Sequence, residues 1–123
     1  AAGLRGLEIV QAGEGFLPRG EDPRLAAHAA AARRGLELVR ERIACGDYGV
    51  IVLDEVCGAV AHGLITYPQV AEAIAQAAPH TIVVLTGRNA PPALIDIATT
   101  VTEMTKVKHP FDTGQRGQPG IEW

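Results

Sequence analysis

Residues 48–55 read YGVIVLDE, and this stretch decides the fold. Its centre, VIVL at 50–53, is a continuous apolar run that follows Gly49 and ends at Asp54. An apolar run without polar alternation is typical of a strand in a parallel sheet, where both faces are covered. We therefore predict a buried parallel strand over residues 48–55 that ends in two carboxylates, Asp54 and Glu55.

The chain on either side of this strand alternates helical and strand patterns. Apolar residues recur at helical spacing over 23–45, and a second buried-strand pattern, TIVVL, lies at 81–85. We further predict helices at 68–77 and 91–98, short strands at 7–11 and 100–104, and a loop after residue 106. The order of strands and helices is that of an α/β domain with a parallel sheet flanked by helices. No repeat or linker divides it, so we predict a single domain over residues 1–123.

Composition excludes several classes of function. The 123 residues carry a formal net charge of −3 and only 4% aromatic residues, which argues against bulk binding of nucleic acid or of an anionic membrane. No apolar run is long enough to span a bilayer. The two cysteines, Cys45 and Cys57, indicate a reducing compartment and small apolar core positions. Cytoplasm is the expected location.

Polar residues follow three of the predicted strands. They are Gly13-Glu14-Gly15-Phe16, Asp54-Glu55 and Thr86-Gly87-Arg88. In open α/β sheets, ligands bind beyond the carboxyl ends of the strands, so we expect these three segments to converge.

The Asp54-Glu55 pair has two readings. An apolar strand that ends in Asp-Glu resembles the second acidic motif of P-loop nucleotide-binding proteins, in which a carboxylate holds Mg²⁺ beside the phosphates. In the simpler reading Asp54 caps the next segment and Glu55 is only solvated. The glycine-rich GxxxxGK[ST] loop that usually accompanies the acidic motif does not occur in these 123 residues.

Two other polar segments also have alternatives. Arg88 offers a guanidinium suited to bidentate phosphate recognition, or it forms a surface salt bridge without function. Lys108, His109 and Asp112 lie close together in a segment without regular periodicity. They form part of a ligand site, or they belong to a packed C-terminal arm with ordinary polar contacts.

Taken in chain order, these motifs resemble one family, the P-loop-type corrinoid adenosyltransferases. The matching stretches are Gly15-Phe16, VIVLDE at 50–55, TGR at 86–88 with LIDIA at 94–98 behind it, and VKHPFDTGQRGQPGIEW at 107–123. The last is the most specific, because no generic structural reason accounts for it. The resemblance implies a P-loop NTPase fold of RecA-like type, here without the N-terminal phosphate-loop strand.

The resemblance also implies an activity. The family transfers the 5′-deoxyadenosyl group of ATP to the Co(I) of a reduced corrinoid such as cob(I)alamin and releases triphosphate, in adenosylcobalamin synthesis. A transferase of this kind would use ATP, Mg²⁺ and a corrinoid. It would form a homodimer and receive electrons from a flavoprotein reductant.

Residue roles follow from the resemblance at the matching positions. Asp54 and Glu55 match the acidic pair that serves Mg²⁺ and ATP. Arg88 matches a catalytic arginine near the nucleotide, and Phe16 matches an aromatic that packs under the corrin ring and helps displace the lower axial ligand. The positions implied to bind the substrates are Gly15, Phe16, Thr86, Gly87, Arg88, Lys108, His109, Phe111 and Asp112.

The sequence departs from the family in three places. The phosphate loop and the elements around it are not among the 123 residues. Pro18 stands where a second ring-packing aromatic is expected. Val56-Cys57-Gly58 replaces a Leu-Thr-Tyr-like run. We therefore expect the chain to be the C-terminal part of a larger P-loop-type domain, with a raw sheet edge where the missing strand belongs. Two alternatives to catalysis remain, a corrinoid-binding module and a structural remnant.

Overall fold

The computed structural model of the chain describes residues 6–13 and 24–117. The helices are α1 (Arg24–Cys45), α2 (Val56–Ala61), α3 (Tyr67–Ile74) and α4 (Pro92–Ile97), with a 3₁₀ helix at Pro110–Thr113. The strands are β1 (Val50–Leu53) and β2 (Ile82–Leu85). None of the helices described is long and apolar enough to cross a bilayer.

Strands β1 and β2 pair in parallel, which confirms the α/β prediction made from their sequences. The register places Val50 opposite Ile82 and Leu53 opposite Leu85. The ladder continues past both ends, because the Ile82 N–H donates to the Gly49 carbonyl at 2.8 Å and the Thr86 N–H to the Leu53 carbonyl at 3.2 Å. Both strands therefore end at the same edge.

Only one face of this sheet is covered by the described residues. Ile51, Leu53, Val83 and Leu85 face the core, but Val50 and Val52 on the opposite face are 55% and 56% exposed. The prediction that both faces are buried is therefore wrong for the described chain. Apolar residues on both faces of a strand indicate that both faces can be buried. The helices described here pack against only one face of the sheet.

The core lies between the covered sheet face and the helices. Helix α1 contributes Leu36, and α3 contributes Val70, which is fully buried. Helix α3 begins at a capping box between Thr66 and Gln69 with Pro68 in its first turn, a favourable helix start. Leu94 of α4 completes the same cluster.

Three other sequence predictions fail. Residues 7–11 and 100–104 form no strand, because neither segment has a ladder partner among the described residues, and an apolar pattern alone cannot supply one. Helix α2 was not anticipated. Cys45 is exposed rather than in the core, whereas Cys57 is buried as expected.

A cluster of polar side chains attaches residues 6–13 to α1. Arg42 donates two hydrogen bonds to the Glu8 carboxylate, at 2.8 and 3.1 Å, and the Tyr48 hydroxyl donates a third. The Arg42 hydrogen bonds, with help from Tyr48, lower the pKa of Glu8 from 4.5 to about 2. Glu8 therefore stays ionised, and paired with Arg42, well into the acidic range.

We predict that this attachment depends on pH in a definite window. Because the pKa of Glu8 is depressed in the folded chain, its stabilising effect is complete above pH 4.5 and is lost as pH falls through about 2. The ring resonances of Tyr48, followed by NMR from neutral to acidic pH, should report this transition. Glu8→Gln should remove it, and a wild-type midpoint near 4.5 would show that Arg42 does not hold Glu8.

Candidate functional site

The candidate site is built on the turn that follows β1, called here the acidic turn (Asp54 and Glu55). Glu55 adopts the left-handed conformation, with φ 58° and ψ 18°. That conformation costs an L-residue about 1–2 kcal/mol, so the surrounding contacts must hold it. Helix α2 begins at the next residue, and both carboxylates remain exposed at the carboxyl end of β1.

The end of β2 meets the acidic turn through Thr86. Its hydroxyl donates to Asp54 Oδ1 at 2.6 Å and accepts the Glu55 N–H at 3.0 Å. The structure therefore brings together two of the three segments expected to converge, because parallel strands that end at one edge place their following residues side by side.

Gly87 lets the backbone after β2 pass close to the start of α2. Its φ is 134°, and a Cβ at this position would lie 3.0 Å from both the Cys57 Cβ and the Gly58 nitrogen. The Cys57 N–H also donates to the Thr86 carbonyl at 3.1 Å. Cys57 is a packed core residue. Its burial, and then the charge of Glu55, raise the pKa of its thiol.

Arg88 follows directly and is exposed. The residues that the structure describes offer its guanidinium no ion pair, which does not favour the reading as a surface salt bridge. The acidic turn and Arg88 thus bring two exposed acidic residues and one exposed arginine to the same edge of the sheet. Carboxylates can bind the metal of a metal–phosphate complex, and a guanidinium can bind its phosphate oxygens.

Of the third expected segment, Gly13-Glu14-Gly15-Phe16, only Gly13 lies within the described residues. Residues 10–13 lie against α1, where a Cβ on Gly35 would come within 2.6 Å of the Ala12 Cβ. Gln11 donates to the Gly13 carbonyl at 3.3 Å. Gly15 and Phe16 fall outside the described residues.

The C-terminal segment forms a turn with its own contacts. Lys106 pairs with Asp112 at 2.8 Å, and His109 Nδ1 accepts the Phe111 N–H at 3.1 Å. Lys108 and Phe111 are exposed. No hydrogen bond or ion pair of the described residues joins 106–117 to the acidic turn, and residues 106–117 are exposed rather than packed.

The acidic turn is chemically suited to Mg²⁺ shared with a ligand. Asp54 Oδ1 accepts the Thr86 hydroxyl, and both Asp54 and Glu55 are exposed. Mg²⁺ usually binds one or two carboxylates together with waters and substrate phosphates. Within residues 6–13 and 24–117 no group of three or more His, Cys, Asp or Glu is placed to hold a metal ion.

Two contacts escaped the sequence analysis, one at the acidic turn and one within the C-terminal segment. Gly58 lies beneath the Glu55 side chain, since a Cβ there would come within 3.4 Å of Glu55 Oε2. Lys106, rather than Lys108, is the partner of Asp112. A Cβ at Gly58 would make only an ordinary van der Waals contact, so glycine at this position is no signal for the Glu55 contact. The Lys106 pairing depends on a turn that periodicity does not reveal.

Comparison with known proteins supplies independent evidence. The sequence profile of the family described as ATP:corrinoid adenosyltransferase BtuR/CobO/CobP matches residues 1–123. A corrinoid adenosyltransferase of Sinorhizobium sp is 38% identical over 112 residues, which cover 90% of this chain and 51% of that protein. One from Pseudomonas aeruginosa is 37% identical over 111 residues, covering 90% and 54% respectively. The chain thus spans about half the length of these relatives.

Proposed function

This chain belongs to the family of ATP:corrinoid adenosyltransferases, and we propose that it serves the transfer of the 5′-deoxyadenosyl group from ATP to a reduced corrinoid. In this reaction the Co(I) electron pair forms a bond to the 5′ carbon of ATP, the bond between that carbon and the α-phosphate oxygen breaks, and triphosphate leaves with the electron pair of the broken bond. The observation that supports the proposal is the acidic turn held against the end of β2, with Arg88 two residues beyond Thr86.

The residues of this edge match what the reaction needs. Co(I) is a strong nucleophile, so catalysis requires alignment, exclusion of water and neutralisation of the leaving triphosphate. Asp54 and Glu55 would hold Mg²⁺, which when bound would offset the triphosphate charge. Arg88 would bind phosphate oxygens, and Thr86 and Gly87 bring it to the same edge as the acidic turn. Gly15, Lys108, His109, Phe111 and Asp112 remain proposed ligand contacts.

We further propose that residues 1–123 are the C-terminal part of a larger RecA-like P-loop domain. Two observations support this: the chain spans about half of its relatives, and the face of Val50, Val52, Ile82 and Val84 is open. The phosphate loop would then come from polypeptide that these residues do not include. A cytoplasmic homodimer that receives electrons from a flavoprotein belongs to the same proposal.

One observation favours a second candidate. The chain contains no GxxxxGK[ST] loop, so it could bind a corrinoid without binding ATP productively. In that case it would act as a corrinoid carrier or regulator.

The deciding experiment incubates the chain anaerobically with cob(I)alamin and MgATP and measures adenosylcobalamin by its light-sensitive spectrum. Separate equilibrium titrations with cobalamin and with MgATP accompany it. Product formation supports the transferase, whereas cobalamin binding without MgATP binding supports the second candidate. Binding of neither ligand, by residues 1–123 alone and by the longer protein that includes the phosphate loop, contradicts both proposals and leaves a structural remnant.

Phe16→Ala tests the proposed role of that residue beneath the corrin ring. We expect the variant to lose more activity when the assay starts from cob(II)alamin and a reductant than when it starts from cob(I)alamin. The reason is that displacing the lower axial ligand eases the reduction and is not needed afterwards. Leu17→Ala is the matched neighbour, and equal losses in both assays for Phe16→Ala would contradict the axial-ligand role.

A further inference from the structure

Thr86 forms hydrogen bonds with both residues of the acidic turn and with the residues on either side of it. Its N–H donates to the Leu53 carbonyl at 3.2 Å, and its carbonyl accepts the Cys57 N–H at 3.1 Å. Between these two backbone bonds, its hydroxyl contacts both Asp54 and Glu55. One residue of β2's end therefore spans the turn from the last residue of β1 to the first turn of α2.

The direction of the two hydroxyl bonds is fixed by chemistry. A hydroxyl carries one proton, and the ionised carboxylate of Asp54 can only accept. The proton of Thr86 must therefore point to Asp54 Oδ1, which leaves an oxygen lone pair for the Glu55 N–H. A serine can reproduce both bonds, whereas a valine of the same shape can make neither.

These bonds determine how the two carboxylates are presented. Asp54 is exposed and has its Oδ1 held by the Thr86 hydroxyl, so the rotation of its carboxylate is restricted. Glu55 is held by its N–H in a left-handed conformation that a side-chain-bearing residue rarely adopts, and this conformation sets the direction of its side chain.

We infer that Thr86 is a positioning residue whose hydroxyl sets the orientation of both carboxylates for the ligand. The inference rests on the proposed role of Asp54 and Glu55 in binding Mg²⁺ with ATP. Thr86 itself acts on the two acidic residues and not on the metal. Partners that orient a metal ligand typically change metal affinity by about 10- to 100-fold when they are removed.

The test compares Thr86→Val with Thr86→Ser. Binding of ATP is titrated with and without Mg²⁺, and exchange of the Glu55 amide hydrogen is measured without ligand. We expect valine to weaken Mg²⁺-dependent ATP binding by about 10- to 100-fold and to speed amide exchange by about tenfold. Serine should restore both to near wild type.

Thr81→Val is the matched control at the opposite end of the same strand. The Thr81 hydroxyl donates to the Tyr48 carbonyl at 3.0 Å, so this variant also removes a hydroxyl that joins the two strands. It should leave MgATP affinity and Glu55 exchange unchanged. If Thr81→Val weakened MgATP binding as much as Thr86→Val, the inference would be contradicted, because Thr86 would then contribute only to the general stability of the sheet.

Two outcomes separate this inference from the proposed function. The titrations use these residues together with the polypeptide that supplies the phosphate loop. If the wild-type protein in that form shows no Mg²⁺-dependent ATP binding, the metal role of the acidic turn is refuted, and with it the stated purpose of the positioning. If binding is present but Thr86→Val keeps wild-type affinity and slow Glu55 exchange, the inference is refuted while the proposed function stands. Failure of serine to rescue would likewise refute it.

Discussion

Glu55→Gln is expected to weaken Mg²⁺-dependent ATP binding by at least about 100-fold, more than the loss of a residue that only positions a ligand. The amide keeps the size of the side chain but removes the negative charge that Mg²⁺ requires. Because Glu55 is exposed, the free energy of unfolding should change little. Isothermal titration with and without Mg²⁺, together with a denaturant melt, measures both quantities.

Two further variants sharpen this result. Glu72→Gln removes an exposed carboxylate from α3 that pairs with Arg40 at 2.9 Å, and it should leave MgATP binding unchanged. Glu55→Gly should lose binding as Glu55→Gln does, yet gain up to about 1 kcal/mol of stability, since glycine tolerates the left-handed conformation. Unaltered MgATP affinity in Glu55→Gln would remove Glu55 from the site.

Gly87→Ala is expected to destabilise the fold by about 2–5 kcal/mol, as the sum of backbone strain and overpacking. The new methyl would meet the Cys57 Cβ and the Gly58 nitrogen, each at 3.0 Å. Neither atom is the end of a flexible side chain, so the first turn of α2 would have to shift. Equilibrium unfolding in urea gives the change in free energy.

The chain contains matched glycines that separate the two causes. Gly63 has a positive φ of 71° but open space around it, so Gly63→Ala should cost only the backbone term, about 1–2 kcal/mol. Gly49 has neither feature, and Gly49→Ala should be nearly neutral. A Gly87→Ala cost equal to that of Gly63→Ala would show that the approach to Cys57 and Gly58 is not tight.

The sequence was informative where local pattern and geometry agree. The run VIVL between Gly49 and Asp54, and its counterpart at 82–85, predicted two strands that pair in parallel, and the helical period at 23–45 predicted α1. Parallel pairing in turn required Asp54 and Thr86 to meet at one edge. This part of the candidate site followed from strand direction alone.

Other features depended on contacts that no local pattern encodes. Residues 7–11 have the composition of a strand, but the described chain gives them α1 as a neighbour and no ladder. Helix α2, VCGAVA, is six residues long, contains a glycine and has no polar face. It therefore shows no helical alternation of apolar and polar residues from which it could be predicted. Its start is defined instead by the Cys57 N–H bond to Thr86, which is 29 positions away in sequence (86 − 57).

The packing of Cys57 behind Gly87 has a consequence for thiol chemistry. Cys45 is open to a maleimide or iodoacetamide, whereas Cys57 is buried and its raised pKa keeps the reactive thiolate scarce. The first alkylation of the native chain should therefore be fast and the second slow. The second alkylation requires α2 to separate from the end of β2. Its rate therefore measures how often the acidic turn opens, without any added probe.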